Sequence, residues 1–381
     1  MPPERLVPWI ALSLLPGVGP ITARRAIEAH GDPYEVAFRL PARAWRELPG
    51  IDGDAVERIL SARPTLARRV EAEWDAAVRS NARIVTREDG EFPSLLAALP
   101  DAPCVLYLRG TVSDPAVRIA VVGSRRATAY GRAVAQSLAG ELAERGIEIV
   151  SGGARGIDSC AHRGALDAGG RTIAVLGSGL GRSYPPENTP LFERIERGGA
   201  LVSEFPIAMP PLAENFPRRN RLISALSAAT VVVEATDKSG SLITAGHALE
   251  QGREVMAVPG PITSEQSRGC HRLLQQGAKL VQCAEDIIEE LSPIYRNAIS
   301  PTTAAGDAPD PCHADLAPDE RAVLALFDDP RPVHVDRLAE SAPFGIARLQ
   351  AALFALSLRG CVEPLSGGYY VARPRAGSPR S

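Results

Sequence analysis

From residue 83 to residue 281 the chain alternates short apolar runs with helical stretches, and this alternation constrains the fold more than any other feature. The runs fall at 84–86, 105–108, 118–123, 148–151, 172–176, 200–203, 230–234, 254–258 and 279–281. Several are unbroken stretches of Val, Ile, Ala and Leu, the pattern of strands buried on both faces in a parallel sheet. Helical patterns lie between them at 130–145, 159–168, 219–227 and 242–251. Strand and helix in turn predict an extended, Rossmann-like, doubly wound α/β sheet. Its ligand is expected at the carboxyl ends of the strands.

A chain of 381 residues has room for flanking domains. Residues 1–65 contain a repeat: Leu15-Pro16-Gly17-Val18-Gly19-Pro20 and Leu48-Pro49-Gly50-Ile51-Asp52-Gly53 each precede a helical pattern, at 21–30 and 55–62. A Gly-x-Gly turn that opens a helix presents unpaired N–H groups, so the repeat reads as paired helix-hairpin-helix units in a SAM-like helical domain. Neither hairpin holds a lysine and the second carries Asp52 and Asp54, which favours packing over direct DNA contact. A charged helical connector is expected at 66–82, the α/β domain at 83–291, and a linker rich in Pro, Ala and Asp at 292–315. Residues 316–373 then show three helical patterns (319–327, 335–341 and 346–359) and a hairpin at 361–371 turning at Gly367-Gly368, the outline of a winged helix; a basic tail closes the chain at 374–381. The recognition-helix pattern at 346–359 is mostly Ala, Leu and Phe, with Arg348 and Arg359 its only cations. Packing or protein contact is favoured there over groove reading.

Four loops at predicted strand ends share one chemical character. In Gly123-Ser124-Arg125-Arg126-Ala127-Thr128 the glycine admits close backbone approach, Ser124 and Thr128 offer hydroxyls, and Arg125 and Arg126 offer guanidinium forks. Ser151-Gly152-Gly153-Ala154-Arg155-Gly156-Ile157-Asp158 reads as an anion nest of open main-chain N–H groups, with Asp158 as the N-cap of the next helix rather than a catalyst. Asn215-Phe216-Pro217-Arg218-Arg219-Asn220-Arg221 opens a helix with clustered arginines, read as phosphate contacts in preference to a solvated charged face. Lys238-Ser239-Gly240-Ser241-Leu242-Ile243-Thr244 again sets hydroxyls and N–H groups at a helix start. One such loop is a weak signal; four on one sheet edge point to a polyphosphate ligand. Tyr130, Tyr184 and Phe216 add candidate stacking faces.

Other chemistries lack their residues. Gly123 to Tyr130 is not GxGxxG, so no dinucleotide cofactor is indicated; GxxxxGK[ST], GxSxG and HExxH are missing as well. His162, His247 and His271 sit in helical patterns without metal-ligand spacing and are read as structural. Six scattered cysteines without CxxC spacing suit free thiols in a reducing cytoplasm. No signal peptide or membrane-spanning run is evident. A net charge of −3 argues against a strongly basic coat protein, and Lys238 and Lys279 are the only lysines.

Taken in order, Gly-Ser-Arg, Ser-Gly-Gly-Ala-Arg-Gly-Ile-Asp, Ser203-Glu204-Phe205-Pro206, Asn-Phe-Pro-Arg-Arg-Asn-Arg, Ser-Gly-Ser-Leu-Ile-Thr-Ala and Ala257-Val258-Pro259-Gly260 closely resemble the bacterial DNA-processing protein A family, DprA or Smf. The resemblance implies a non-catalytic, homodimeric, single-stranded-DNA-binding protein. It also implies a protein that protects incoming DNA during natural transformation and helps load the RecA recombinase. The family's phosphate-contacting loop arginine maps onto Arg125. Two positions depart from the family pattern: Pro186 stands where many members carry a basic residue, and Ala225 replaces a usual glycine.

Two rivals stay open. A nucleoside-monophosphate phosphoribohydrolase would use the same kind of sheet, with Glu234 or Glu250 as acid, though neither has an evident partner base and the Pro-Gly-Gly-x-Gly-Thr-x-x-Glu motif is missing. A duplex-DNA regulator would act through the winged helix. At Arg125 the alternative to phosphate contact is a structural bridge to a carboxylate such as Glu204.

Overall fold

The computed structural model describes residues 1–112, 117–299, 316–327, 333–358, 361–365 and 369–372. The chain divides into two compact units, Met1–Ser300 and Pro301–Ser381. The expected linker beyond residue 299, the Gly367-Gly368 turn, Arg359, Cys312 and the tail lie outside the described residues.

In the first unit a 3-10 turn leads into helices α1 (Val7–Leu14), α2 (Pro20–His30), α3 (Pro33–Phe38), α4 (Ala42–Arg46) and α5 (Gly53–Arg79). The start of α5 follows from Asp52, whose carboxylate accepts the Ala55 N–H at 2.7 Å. The expected second hairpin helix and the connector form one 27-residue helix, which runs on through Pro64. Trp45, Ile10, Leu12, Ile59 and Leu66 are fully buried and share a core with Tyr107, Leu176, Phe192 and Ile207 of the α/β part. The helical segment is thus packed on one face of the sheet.

The sheet follows in chain order as β1 (Arg83–Thr86), α6 (Ser94–Ala97), β2 (Val105–Gly110), β3 (Arg118–Val122), α7 (Ala129–Glu144), β4 (Glu148–Ser151), α8 (Ile157–Asp167), β5 (Thr172–Val175), α9 (Thr189–Gly198), β6 (Gly199–Ser203), α10 (Asn215–Ala225), β7 (Ala229–Val232), α11 (Gly240–Glu250), β8 (Glu254–Ala257), α12 (Arg268–Gln275), β9 (Lys279–Leu280), α13 (Ala284–Glu290) and α14 (Pro293–Ala298). Spatial order is β1-β2-β6-β5-β4-β3-β7-β8-β9. All neighbours from β6 to β9 run parallel, whereas β1 and β2 pair antiparallel with each other and β2 pairs antiparallel with β6. The all-parallel expectation is corrected at this edge. An antiparallel pair needs no helical crossover, and only the four-residue α6 separates β1 from β2.

Alternate residues of β3 feed two cores. Ala120 and Val122 pack with Leu222, Ala245 and Cys270 of α10 to α12; Ile119 and Val121 pack with Leu138, Leu142 and Ala161 of α7 and α8. Both faces are covered, as the continuous apolar runs require. Residues 293–298, expected within the linker, form α14, and its Tyr295 packs against the second of these cores.

The second unit contains α15 (Pro318–Leu324), β10 (Val333–His334), α16 (Val335–Ser341), α17 (Ile346–Leu358), β11 (Val362–Leu365) and β12 (Tyr369–Ala372). Its antiparallel sheet has the order β10-β12-β11, one strand more than the expected hairpin. Val323, Leu338, Leu349, Leu353 and Leu356 form its core, so the apolar side of α17 faces inward. Among the described residues no helix is long and apolar enough to cross a membrane.

Candidate nucleic-acid interface

The chain steps from β3 through β4 and β5 to β6 on one side, then lays β7 on the other side of β3. Loops leaving β3 and β7 part at the carboxyl edge, which is where an open sheet of this kind takes its ligand.

The loop after β3 leaves the sheet at Gly123, where a Cβ would lie 2.6 Å from Ile157 Cγ1 and 2.9 Å from the Glu234 carbonyl. Ser124 is buried; its N–H donates to that carbonyl at 2.7 Å and its Oγ accepts the Arg126 N–H at 3.0 Å. Thr128 caps α7, its Oγ1 accepting the Gly131 N–H at 3.1 Å and donating to Glu234 Oε1 at 2.5 Å. The Thr128 N–H donates to Glu234 Oε2 at 2.9 Å. Thr128 therefore commits its hydroxyl proton to Glu234, while the Ser124 oxygen serves the turn as an acceptor. Arg125 and Arg126 point outward, exposed and without an ion pair among the described residues. The Arg125 guanidinium lies 5.0 Å from the Phe216 ring centroid, within cation–π range. Glu204, its possible structural partner, is held by Arg221 instead.

The loop after β4 is filled from inside. Asp158 is buried, and its Oδ2 accepts the Gly152 N–H at 3.1 Å and the Ala154 N–H at 3.3 Å. The expected N-cap role is corrected: the cap position of α8 is Gly156, at φ 75°, where a Cβ would strike the Ser124 carbonyl. Asp158 is the second residue of α8, within its first turn, and reaches back to the loop. On the opposite side Arg219 Nη1 donates to the Gly152 carbonyl at 2.7 Å and also to the Val175 carbonyl. One residue is thus held at both its N–H and its carbonyl, and a Cβ on Gly152 would fall 2.7 Å from Asp158 Oδ2 and 2.8 Å from Arg219 Nη2. Burial pushes the Asp158 carboxyl up, while Arg219 and Arg125 pull it back; burial also lowers the Arg219 pKa to about 10. Gly153 is buried, with its carbonyl accepting from Asn188 Nδ2 at 3.0 Å. Arg155 reaches solvent and pairs with Glu187.

The arginine run on α10 divides by helical phase. Arg218 is exposed, its guanidinium 5.6 Å from the Phe205 ring. Arg219 is buried as described, and Asn220 Nδ2 donates to the Gly240 carbonyl at 3.1 Å. Arg221 binds Glu204 and, at 2.9 Å, the Asp101 carbonyl. Of the run expected to contact phosphate, Arg218 alone is both exposed and outside an ion pair among the described residues, because successive residues of a helix face different sides. After β7, Lys238 and Gly240 are exposed at the start of α11; Ser239 caps the helix, its Oγ 2.7 Å from Ser241 Oγ, while Ser241 and Thr244 are buried.

Arg125, Gly152, Ala154, Arg155, Gly177, Ser178, Tyr184, Pro185 and Phe216 line one pocket at the carboxyl ends of β3, β4 and β5. Tyr184 and Phe216 form a tilted ring pair with centroids 5.8 Å apart, whereas Tyr130 donates its hydroxyl to the Pro259 carbonyl at 2.8 Å. Residues 177–181 were not singled out in the sequence, although Gly177-Ser178-Gly179-Leu180-Gly181 at the end of a strand carries the same signal as the other loops. A Cβ on Gly177 would lie 2.8 Å from Phe216 Cδ1, so this glycine admits the ring. Pro186 is exposed just beyond the pocket. Among the described residues no cluster of His, Cys, Asp and Glu is arranged to hold a metal ion.

Comparison with known proteins agrees in both units. The family model described as DNA recombination-mediator protein A matches residues 83–292, and that of the DprA winged helix domain matches residues 307–368. Protein Smf of Escherichia coli is 42% identical over 292 residues, covering 76% of this chain and 77% of its own length. DNA processing protein DprA of Bacillus subtilis is 45% identical over 203 residues, 53% of this chain and 68% of that protein. The crystal structure of DNA processing protein A from Streptococcus pneumoniae superposes with a TM-score of 0.63 at 34% identity, covering 74% of this chain and 96% of that one. A structure of the Helicobacter pylori protein, reported for its single-stranded DNA binding mode, gives a TM-score of 0.50 at 32% identity over 55% of this chain and 96% of that one.

Proposed function

Since the chain belongs to the DNA recombination-mediator protein A family, we propose that it binds single-stranded DNA across the carboxyl edge of its sheet, within residues 83–291. The observation that carries this reading is Arg125, an exposed guanidinium without a carboxylate partner among the described residues, set over Phe216 and beside Tyr184 in one pocket. A cation next to two aromatic faces suits a strand whose phosphates are bound and whose bases can stack without being read. Arg126, Arg218 and Lys238 extend the exposed positive charge along the same edge. Of the two candidate acids for a phosphoribohydrolase, Glu234 is buried and accepts both hydrogen bonds from Thr128, and Glu250 lies exposed beside His247 on α11, which speaks against that chemistry. As in the family resemblance, the protein acts in the cytoplasm as a homodimer that protects incoming DNA and helps load RecA.

The test is binding to an oligonucleotide, its complement and their duplex at one salt concentration. Preference for the single strands is expected; equal affinity for the duplex would refute the reading. A parallel incubation with nucleoside monophosphates is expected to release no free base.

A further inference from the structure

The loop after β4 has the composition of a phosphate cradle, yet its centre is already occupied. Asp158 Oδ2 takes the Gly152 and Ala154 N–H groups, and Arg219 takes the Gly152 carbonyl from the other side. Asp158 is 6% exposed and Arg219 3% exposed, so both belong to the interior. N–H groups that already donate to a carboxylate are not available to a second anion. A carboxylate at that depth also repels a doubly charged group more than a singly charged one.

We propose that Asp158 is the resident anion of this loop and sets the specificity of the site, excluding terminal phosphate groups and leaving an internal phosphodiester to Arg125. Resting on the single-stranded-DNA reading, this names the form of phosphate the site accepts. A phosphodiester carries one charge and can be gripped by a single guanidinium over an aromatic ring. A terminal phosphate or a free mononucleotide carries nearly two charges and needs the convergent N–H groups that Asp158 has taken. Arg219 keeps the arrangement shut, since its hold on the Gly152 carbonyl fixes the residue whose own N–H Asp158 binds.

Two measurements on the full chain test this. The first compares one oligothymidylate with a 5′-hydroxyl and with a 5′-phosphate: affinities within about threefold support the proposal, and a larger preference for the phosphorylated strand overturns it. The second needs no DNA. The melting temperatures of wild type, Asp158→Asn and Asp158→Ala are read in inorganic phosphate and in chloride of matched ionic strength. The asparagine oxygen still accepts both N–H groups, so wild type and Asp158→Asn should not respond to phosphate. Asp158→Ala opens the cradle and should be stabilised by phosphate alone. A folded Asp158→Ala chain without that response overturns the proposal, as does a phosphate response in wild type. Should Asp158→Ala fail to fold, the wild-type response and the 5′-end comparison decide. Because the phosphate response is read without DNA, its failure is distinct from failure of the single-stranded-DNA reading, which would appear as wild type binding no strand.

Discussion

Arg125 and Glu204 make opposite demands on their surroundings, and each has a different neighbour. Glu204 is almost buried and paired with Arg221, so Arg125 is not the partner of that carboxylate and should be removable without loss of fold. For Arg125→Ala we expect an unchanged melting temperature and an affinity for single strands lower by about ten- to a hundredfold, the loss of one charge-assisted hydrogen bond. The salt slope should become shallower by about 0.7. An unchanged slope would remove Arg125 from the site. His162 is a buried group of another kind. Thr172 Oγ1 donates to the Ile149 carbonyl at 2.8 Å, so His162 Nδ1, 2.7 Å away, must be the donor in that pair. Its Nε2 has no partner among the described residues, and burial, reinforced by Arg219 and Arg163, lowers the pKa to about 3. The unfolded chain takes up this proton near the ordinary value of about 6.5 and the folded chain does not, so stability falls as pH drops below that value. Between pH 7 and pH 5 this one group should remove about 2 kcal/mol, measured as the difference between urea unfolding of wild type and of His162→Gln.

Helix α10 shows how one element divides similar side chains between opposite tasks. Arg221→Ala would strand the Glu204 carboxylate, whose Oε1 already lacks a partner, and should cost about 3–5 kcal/mol of stability. Arg218→Ala removes an exposed cation and should leave the denaturation midpoint in place while weakening DNA binding. If both variants proved equally stable, the division of α10 into a buried and a binding side would be wrong. Helix α17 has the opposite bias. Arg348 is clamped by Asp319 in two hydrogen bonds, at 2.8 and 2.5 Å, and Ile346 and Phe354 are exposed beside it. A helix with its guanidinium committed in this way has little left for phosphates or base edges.

For the whole molecule, that weakness and the division at Ser300 lead to one expectation. A chain ending at residue 300 keeps its own cores and the whole pocket, so its affinity for single strands should stay within about tenfold of the full chain, or 1.4 kcal/mol. A larger loss would assign DNA contact to the second unit. If Arg125, Arg126, Arg218 and Lys238 each neutralise one phosphate, the logarithmic salt slope should be near −0.7 × 4, or about −2.8. Sedimentation of the same shortened chain tests the proposed homodimer, and a monomer at micromolar concentration would count against it.

The sequence by itself determined the strands, four of the helices between them (α7, α8, α10 and α11) and the edge at which the loops gather. Those depend on local patterns: apolar runs that cannot stay in water, and glycines that cannot carry side chains where chains approach closely. Gly123 and Gly152, where a Cβ would strike a neighbour, were legible for that reason. What it could not determine was which polar groups the protein uses on itself. Asp158 and Arg219 lie 61 positions apart in sequence, from subtraction of their numbers, and Thr128 and Glu234 are separated by 106, yet each pair meets in one loop. Whether a hydroxyl, an N–H or a guanidinium is free for DNA depends on partners brought in by long-range strand order, and only the tertiary structure brings them together. The same physics explains the antiparallel edge at β1 and β2: the residues of a strand set its burial, but its direction is set by the length of the connection and by the neighbour it finds.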